Sequence, residues 1–226
     1  MSRILLVLCA LLLAPSAWAD SWAMPTAKSY ASRDGHYRLT IYPRGLAGQL
    51  AYFEDKVAGA EPAGQQAGGD ESCLAELERL GPGGYETVWQ RPLINDVSPV
   101  SALVDVSGAF VTFDNWFSKG YGNDVIVIYD ADGNLVRSLA LTELLGEHWF
   151  EALPRSVSSI WWGGEHKLEW DGRLRLLVVE SRPRQYASGQ DYEAASDEDD
   201  DDVEQYVPFV LDLKTGQVLE QPPLLR

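Results

Sequence analysis

Asp130, Asp132 and Asn134 stand at alternate positions in Asp130-Ala131-Asp132-Gly133-Asn134, the spacing at which a calcium loop delivers its first oxygen ligands. Calcium takes roughly six to eight oxygens, and a helix-flanked calcium loop would need Gly at 135 and Glu at 141. This chain has Leu135 and Leu141 there. The same five residues meet the simpler demand of a hairpin turn, because Asp-Gly supplies the positive φ that a tight loop requires. A second acidic feature, Asp197-Glu198-Asp199-Asp200-Asp201-Asp202, could gather divalent cations by charge density alone. A tight site needs rigid, converging oxygens, and a self-repelling run is expected to be a solvated, flexible loop.

Covalent and acid-base chemistry find less to work with. His36, His148 and His166 have no metal-ligand spacing, and no Gly-x-Ser-x-Gly elbow accompanies them. No His and Cys motif surrounds Cys73, and the carboxylates are too numerous for sequence to single out a glycosidase pair. Catalysis has no positive support, and neither a cofactor nor a metal is expected.

Aromatic recognition is better supplied. Trp116, Trp149, Trp161, Trp162 and Trp170 fall within 55 residues, and aromatic faces stack on sugar rings or peptides. Trp161 and Trp162 are adjacent on an expected strand and must point to opposite sides, which puts one of them on an outer or second-layer face. Asp114-Asn115-Trp116-Phe117-Ser118-Lys119-Gly120-Tyr121-Gly122-Asn123 combines turn formers, aromatics and polar groups in one loop, the place where sites tend to be carried by a rigid sheet. The candidate ligand-binding residues are therefore Asp114, Asn115, Trp116, Tyr121, Trp161 and Trp162. The competing account is structural: Asp114 and Asn115 hydrogen-bond the backbone while Trp116 and Tyr121 cap the core.

These side chains would be positioned by short strands. Ala109 to Phe113, Asp124 to Tyr129 and Leu135 to Leu141 form a β-meander around the loop and the Asp130 turn. Before it, Trp22 to Ser32 reads as irregular, and Tyr37 to Tyr42 alternates apolar and polar residues as a half-buried strand does. Leu50 to Val57 is a short apolar piece. Ala58 to Ser72, rich in Gly, Ala, Gln and acids, is expected to be a flexible, solvated insertion. Gly81-Pro82-Gly83-Gly84 makes a hairpin of the flanking segments, and Leu93 to Ser98 connects. After the meander, Thr142 to Leu153 is the one expected helix, with Thr142 as its cap. Ser156 to Trp162, Lys167 to Trp170, Leu174 to Glu180, Val207 to Leu213 and Val218-Leu219 are further strands, with a second flexible insertion at 183–204.

The 226 residues carry 18 Lys and Arg against 34 Asp and Glu. Such a surface lacks the clustered cations that displace counterions from phosphate, which argues against nucleic acid and against anionic membranes. Met1-Ser2-Arg3, the apolar Ile4 to Leu13 and Ala17-Trp18-Ala19 have the order of a signal peptide, with cleavage expected after Ala19. The apolar run is shorter than the roughly 20 residues that cross a bilayer, and Leu8 before Cys9 is not the small residue that a lipoprotein signal places there. The expected product is periplasmic or secreted, with no membrane insertion after cleavage. It is one β domain from residue 20 to 226, long enough for a sizeable core. Cys73 is left alone and is read as a small buried hydrophobe.

A pattern recurs along the chain. Asp34-Gly35, Ser107-Gly108 and Asp171-Gly172 each open a strand; Val127 to Val136 and Val210 to Val218 each run as apolar strand, Asp, Gly turn, apolar return. These segments resemble the outer hairpins and inner strands of β-propeller blades. A closed propeller takes about four to eight blades, whereas this chain offers about three such units. An open stack, a twisted sandwich and a ring completed by homodimerisation are the three options. The chain is also similar to uncharacterised secreted bacterial proteins, a likeness that implies no activity. The fold class expected is all-β, of antiparallel propeller-like meanders with one short helix. Its role would be that of a non-catalytic binding or interaction module for a protein or glycan; the alternative is a carbohydrate-active or other hydrolytic enzyme with an aromatic groove and acidic residues.

Overall fold

A computed structural model describes residues 22–180 and 205–223. The expected leader, residues 1–19, and the expected insertion at 183–204 lie outside the described residues.

Three antiparallel sheets of four strands follow one another along the chain, each a simple meander. The first holds β1 (Lys28–Ala31), β2 (Tyr37–Tyr42), β3 (Leu74–Gly81) and β4 (Gly84–Pro92). The second holds β5 (Ser101–Val104), β6 (Phe110–Phe113), β7 (Ile126–Tyr129) and β8 (Leu135–Leu139). The third holds β9 (Lys167–Leu168), β10 (Arg173–Val179), β11 (Tyr206–Asp212) and β12 (Val218–Glu220). The protein is thus mostly β, and no sheet closes on itself.

The second sheet is the middle layer. Strands β6 and β7 are buried at every residue, which explains their near-continuous apolar runs. Side chains alternate across the sheet. Val111, Phe113, Ile126 and Ile128 pack with Leu174, Leu176, Val178, Phe209 and Leu211 of the third sheet. Phe110, Val127 and Tyr129 pack with Leu39, Ile41, Ala75 and Leu77 of the first. Phe110 and Tyr129 are cross-strand partners whose rings stack at 4.7 Å.

The outer faces of the stack are polar. On the first sheet Arg38 clasps Glu78 at 2.5 and 2.7 Å, and Glu76 accepts from Tyr42 at 3.0 Å and from Thr87 at 2.6 Å. On the third, Arg175 pairs with Glu169 at 2.7 Å.

The recurring Gly turns occupy one structural position. Asp34-Gly35, Ser107-Gly108 and Asp171-Gly172 all lie between the first and second strand of their sheets. The glycine amide donates to Ser32, Asp105 or Glu169 carbonyl oxygen at 2.9, 3.0 and 3.2 Å respectively, and its φ of +72, +90 or +79° needs a residue without Cβ.

Several expectations are corrected. Ser156 to Trp162 is not a strand and makes only isolated bridges, Arg155 with Ile160 and Lys119 with Ser159. The single helix at Thr142 to Leu153 is two, α2 (Leu141–Leu145) and α3 (Glu147–Ala152), because Gly146 at φ +75° breaks the run. Thr142 does not cap: it lies inside α2, whose N-cap is Ala140. Leu50 to Val57 is a helix, α1 (Gln49–Ala58), which buries only Tyr52 and so shows no full helical stripe. The stretch Trp22 to Ser32 contains β1, an exposed edge strand with no alternation to betray it. The segment 58–72 is tied down as well as solvated. Ala63 is fully buried, and the buried Arg44 guanidinium donates to Ala63 O at 2.8 Å, Gln65 Oε1 at 3.0 Å and Asp96 Oδ1 at 3.2 Å.

Candidate functional site

Asp114 follows β6 with φ +60°. Its Oδ1 accepts the Gly120 amide at 2.8 Å and the Trp162 indole N–H at 2.9 Å, so one oxygen ties the loop to the segment that leads into β9. Burial pushes this carboxyl up to about 6, against the pull of those two donors and the nearby Lys119 charge. Trp162, 1 % exposed, stacks on His166 at 4.6 Å. His166 lies 4.7 Å from Phe113 and accepts the Leu177 amide on Nδ1 at 3.3 Å. Burial, with Lys119 adding to it, lowers this imidazole to about 4.

The other expected site residues scatter. Asn115 accepts from Asn95 at 2.8 Å and donates to Asp124 O at 3.2 Å. Trp116 donates to Ala23 O at 2.9 Å and packs in a separate small core with Tyr52, Ala63 and Val97. Tyr121 donates to Ser156 O at 2.7 Å. Trp161 is 46 % exposed and Trp162 buried, although the expected strand from Ser156 to Trp162 is absent and only isolated bridges, Arg155 with Ile160 and Lys119 with Ser159, form there. Asp114 and Trp162 are thus brought together; Trp116, Tyr121 and Trp161 do not join them in one groove. These contacts match the structural account of the loop.

A concave surface exists elsewhere. Two Gly turns from the second sheet and two from the third, each between first and second or between third and fourth strands, line a cleft of about 540 Å³. Asp105, Asp130, Asp171 and Asp212 contribute one carboxylate from each turn, and Trp170 and Lys214 also face it. Trp170 is 60 % exposed. The Arg33 guanidinium, from the β1–β2 turn, lies over its ring at 4.5 Å, so all three sheets reach this rim.

The turns hold Asp130 and Asp212 ionised. Burial raises the Asp130 carboxyl, but the Asn134 amide group and the backbone N–H groups of Asn134 and Asp132 outweigh it and keep the group below its usual range. The hydroxyl and amide of Thr215 do the same for Asp212. Asp130 oxygens are turned to their own loop, which accounts for the alternating Asp and Asn without calcium. Asp105 takes the Ser107 amide at 2.9 Å and its hydroxyl at 2.5 Å, both on Oδ2. No group of three or more His, Cys, Asp or Glu is placed to hold a metal ion among the described residues. Cys73 is buried, and burial alone pushes its thiol up to about 12, an unreactive state.

Sequence reasoning missed Trp170, Asp105 and Asp212 as neighbours. The available signal was the recurrence of the Gly turns: strands in a meander alternate direction, so first-to-second and third-to-fourth turns share one end of each sheet. No protein-family model matches the chain, and neither does any curated protein or any solved structure.

Proposed function

We propose that the protein is an exported, non-catalytic binding module whose recognition surface is the turn-lined cleft between the second and third sheets. One observation carries this: four separate turns, each bearing an aspartate, and the exposed Trp170 line a single concavity of about 540 Å³, the size class of small-ligand sites. Depressed carboxyls at Asp130 and Asp212 favour fixed charge over proton donation, since a general acid needs a pKa near the working pH. Among the described residues the one carboxyl raised toward neutrality, Asp114, is buried against Trp162 and is not among the residues lining the cleft. The consecutive meanders support blade-like units in an open stack of three. The ion pairs on both outer faces favour that arrangement over a ring closed by a second copy. The Ala17-Trp18-Ala19 signal supports export and release at Asp20.

The test has two arms. Substrate panels of glycosides and peptides are expected to show no turnover; hydrolysis abolished by one Asp or Glu substitution would overturn the non-catalytic assignment. Hydrogen-exchange mapping with a bound ligand from a peptide or glycan array is expected to protect residues 105–109, 130–134 and 170–173; protection confined to 114–123 would move the site to the loop.

A further inference from the structure

Helix α1 turns its large apolar residues outward. It buries Tyr52, while Leu50, Phe53 and Val57, spaced i, i+3 and i+7 on another face, are 71, 37 and 90 % exposed. The stripe does not end with the helix. The Phe53 ring meets Phe117 at 4.5 Å, and Phe117 meets Trp22 at 5.9 Å. Phe117 holds φ +64°, a left-handed conformation that bulky residues rarely adopt. The Trp22 indole donates to Ser158 Oγ at 3.1 Å. Beside it Val157 is 98 % exposed, at the tip of a turn that the Ser156 amide closes on Ser159 O at 2.7 Å. Four segments of chain thus meet in one apolar surface, and such a surface marks an interaction site.

The position of this surface indicates what covers it. Loop 114–123 joins β6 to β7, so it lies at the end of the second sheet opposite the turns at 105–109 and 130–134 that line the cleft. Trp22, the first described residue, belongs to the apolar surface, and only residues 14–21 separate it from the apolar run Ile4 to Leu13. Eight residues reach at most about 28 Å. A bilayer that takes up the leader therefore meets this end of the protein first. Composition agrees, since Trp, Phe and branched aliphatics suit the headgroup boundary. With 34 acidic residues against 18 basic ones, the chain favours a zwitterionic surface over an anionic one.

Resting on export through the leader, we infer that this end of the protein adsorbs to a zwitterionic lipid surface. Leu50, Phe53 and Val57, with Trp22, Phe117 and Val157, enter the headgroup boundary. The cleft, at the other end of the second sheet, points away from the lipid and stays open to its ligand.

The test floats the exported chain, its start at Asp20 verified by mass, with phosphatidylcholine vesicles at physiological salt. Co-flotation is expected. Leu50→Ser combined with Val57→Ser is expected to lower the partition at least about tenfold, and Val157→Ser about threefold. Leu135→Ser, at an exposed apolar residue beside the cleft turn at 130–134, is expected to change nothing. All four positions are exposed, so urea midpoints stay unchanged and a folding defect is separated from lost contact. Absence of flotation, full binding by the Leu50→Ser, Val57→Ser variant, or an equal loss with Leu135→Ser overturns the inference. So does a dimer in light scattering that the same double variant abolishes, which assigns the face to a second copy. Stronger binding to phosphatidylglycerol vesicles overturns the zwitterionic class. The mass of cell-derived protein tests export separately: residues 1–19 retained would sink release at Asp20 and the inference with it, whereas failed flotation of correctly processed chain sinks the lipid contact alone.

Discussion

The Trp162 indole N–H donates to Asp114 Oδ1 at 2.9 Å, across 48 positions of sequence and inside the core shared by the second and third sheets. Both residues are among those the sequence nominates for ligand binding, and each supplies the other's polar partner. A buried carboxylate is costly unless its oxygens are occupied, so this pair holds the loop 114–123 to the third sheet. Trp162→Phe deletes the donor and, with its smaller ring, leaves a void beside Asp114. It is expected to lower unfolding free energy by about 1–3 kcal/mol in urea titration, while Trp161→Phe, at the exposed neighbour, changes it by less than about 0.5 kcal/mol. Equal effects at the two positions would remove the pair from this role.

Asp114 and His166 give opposite pH dependences. The Asp114 carboxyl is raised from 3.8 to about 6, so the folded state takes up its proton more readily. Its ionised form weakens the fold above pH 6, and stability returns as pH falls from 6 toward 4. His166 is lowered from 6.5 to about 4. The fold keeps it neutral, and stability is lost as pH falls from 6.5 to 4, because the unfolded chain gains that proton. Each is a term of the order of 3 kcal/mol at full extent. The wild-type urea midpoint is therefore expected to stay nearly flat between pH 6.5 and 4.5. His166→Phe should become more stable on acidification through that window and Asp114→Asn less stable. Identical slopes in all three proteins would rule out this balance.

Gly120 sits at φ +75°, and a Cβ there would come within 2.7 Å of Ile160 Cβ. Gly120→Ala combines backbone strain with a clash in a packed core, and about 2–4 kcal/mol of stability is expected to go. Gly122, also at positive φ but with open space around it, separates the two causes. Gly122→Ala should cost about 1–2 kcal/mol from strain alone. Thermal unfolding of both variants measures the difference.

Arg44 anchors the segment after α1 through Ala63, Gln65 and Asp96. Arg44→Ala leaves the Ala63 carbonyl and this cavity unfilled, and a loss of about 3 kcal/mol is expected. Limited proteolysis should then cut first within 58–72, where the wild type is expected to resist. Unchanged cleavage would mean that solvent exposure, not the anchor, governs that stretch.

The polar ladders of Arg38 with Glu78 and of Arg175 with Glu169 cover the two outer sheet faces. Burying such pairs in a dimer costs desolvation that their attraction does not recover. Light scattering at micromolar concentration is expected to give a monomer of no more than 25.0 kDa. A stable dimer would restore the six-unit ring.

The amino-acid sequence by itself determined the local grammar. Alternation in Tyr37 to Tyr42, the doubly buried run Ile126 to Tyr129, and the Gly-bearing turns specified most strands, because period-2 patterning and positive φ are properties of a few adjacent residues. Strand β1 and helix α1 escaped it, since one is exposed and the other buries a single residue, leaving little pattern to see. Tertiary structure alone decided which tryptophan meets what. Trp116, Trp162 and Trp170 are equivalent by composition, yet one enters a small side core, one satisfies a buried carboxylate and one stands beside an acidic cleft. That choice depends on how three sheets stack, and stacking is set by contacts between residues tens of positions apart. No local spacing encodes those contacts.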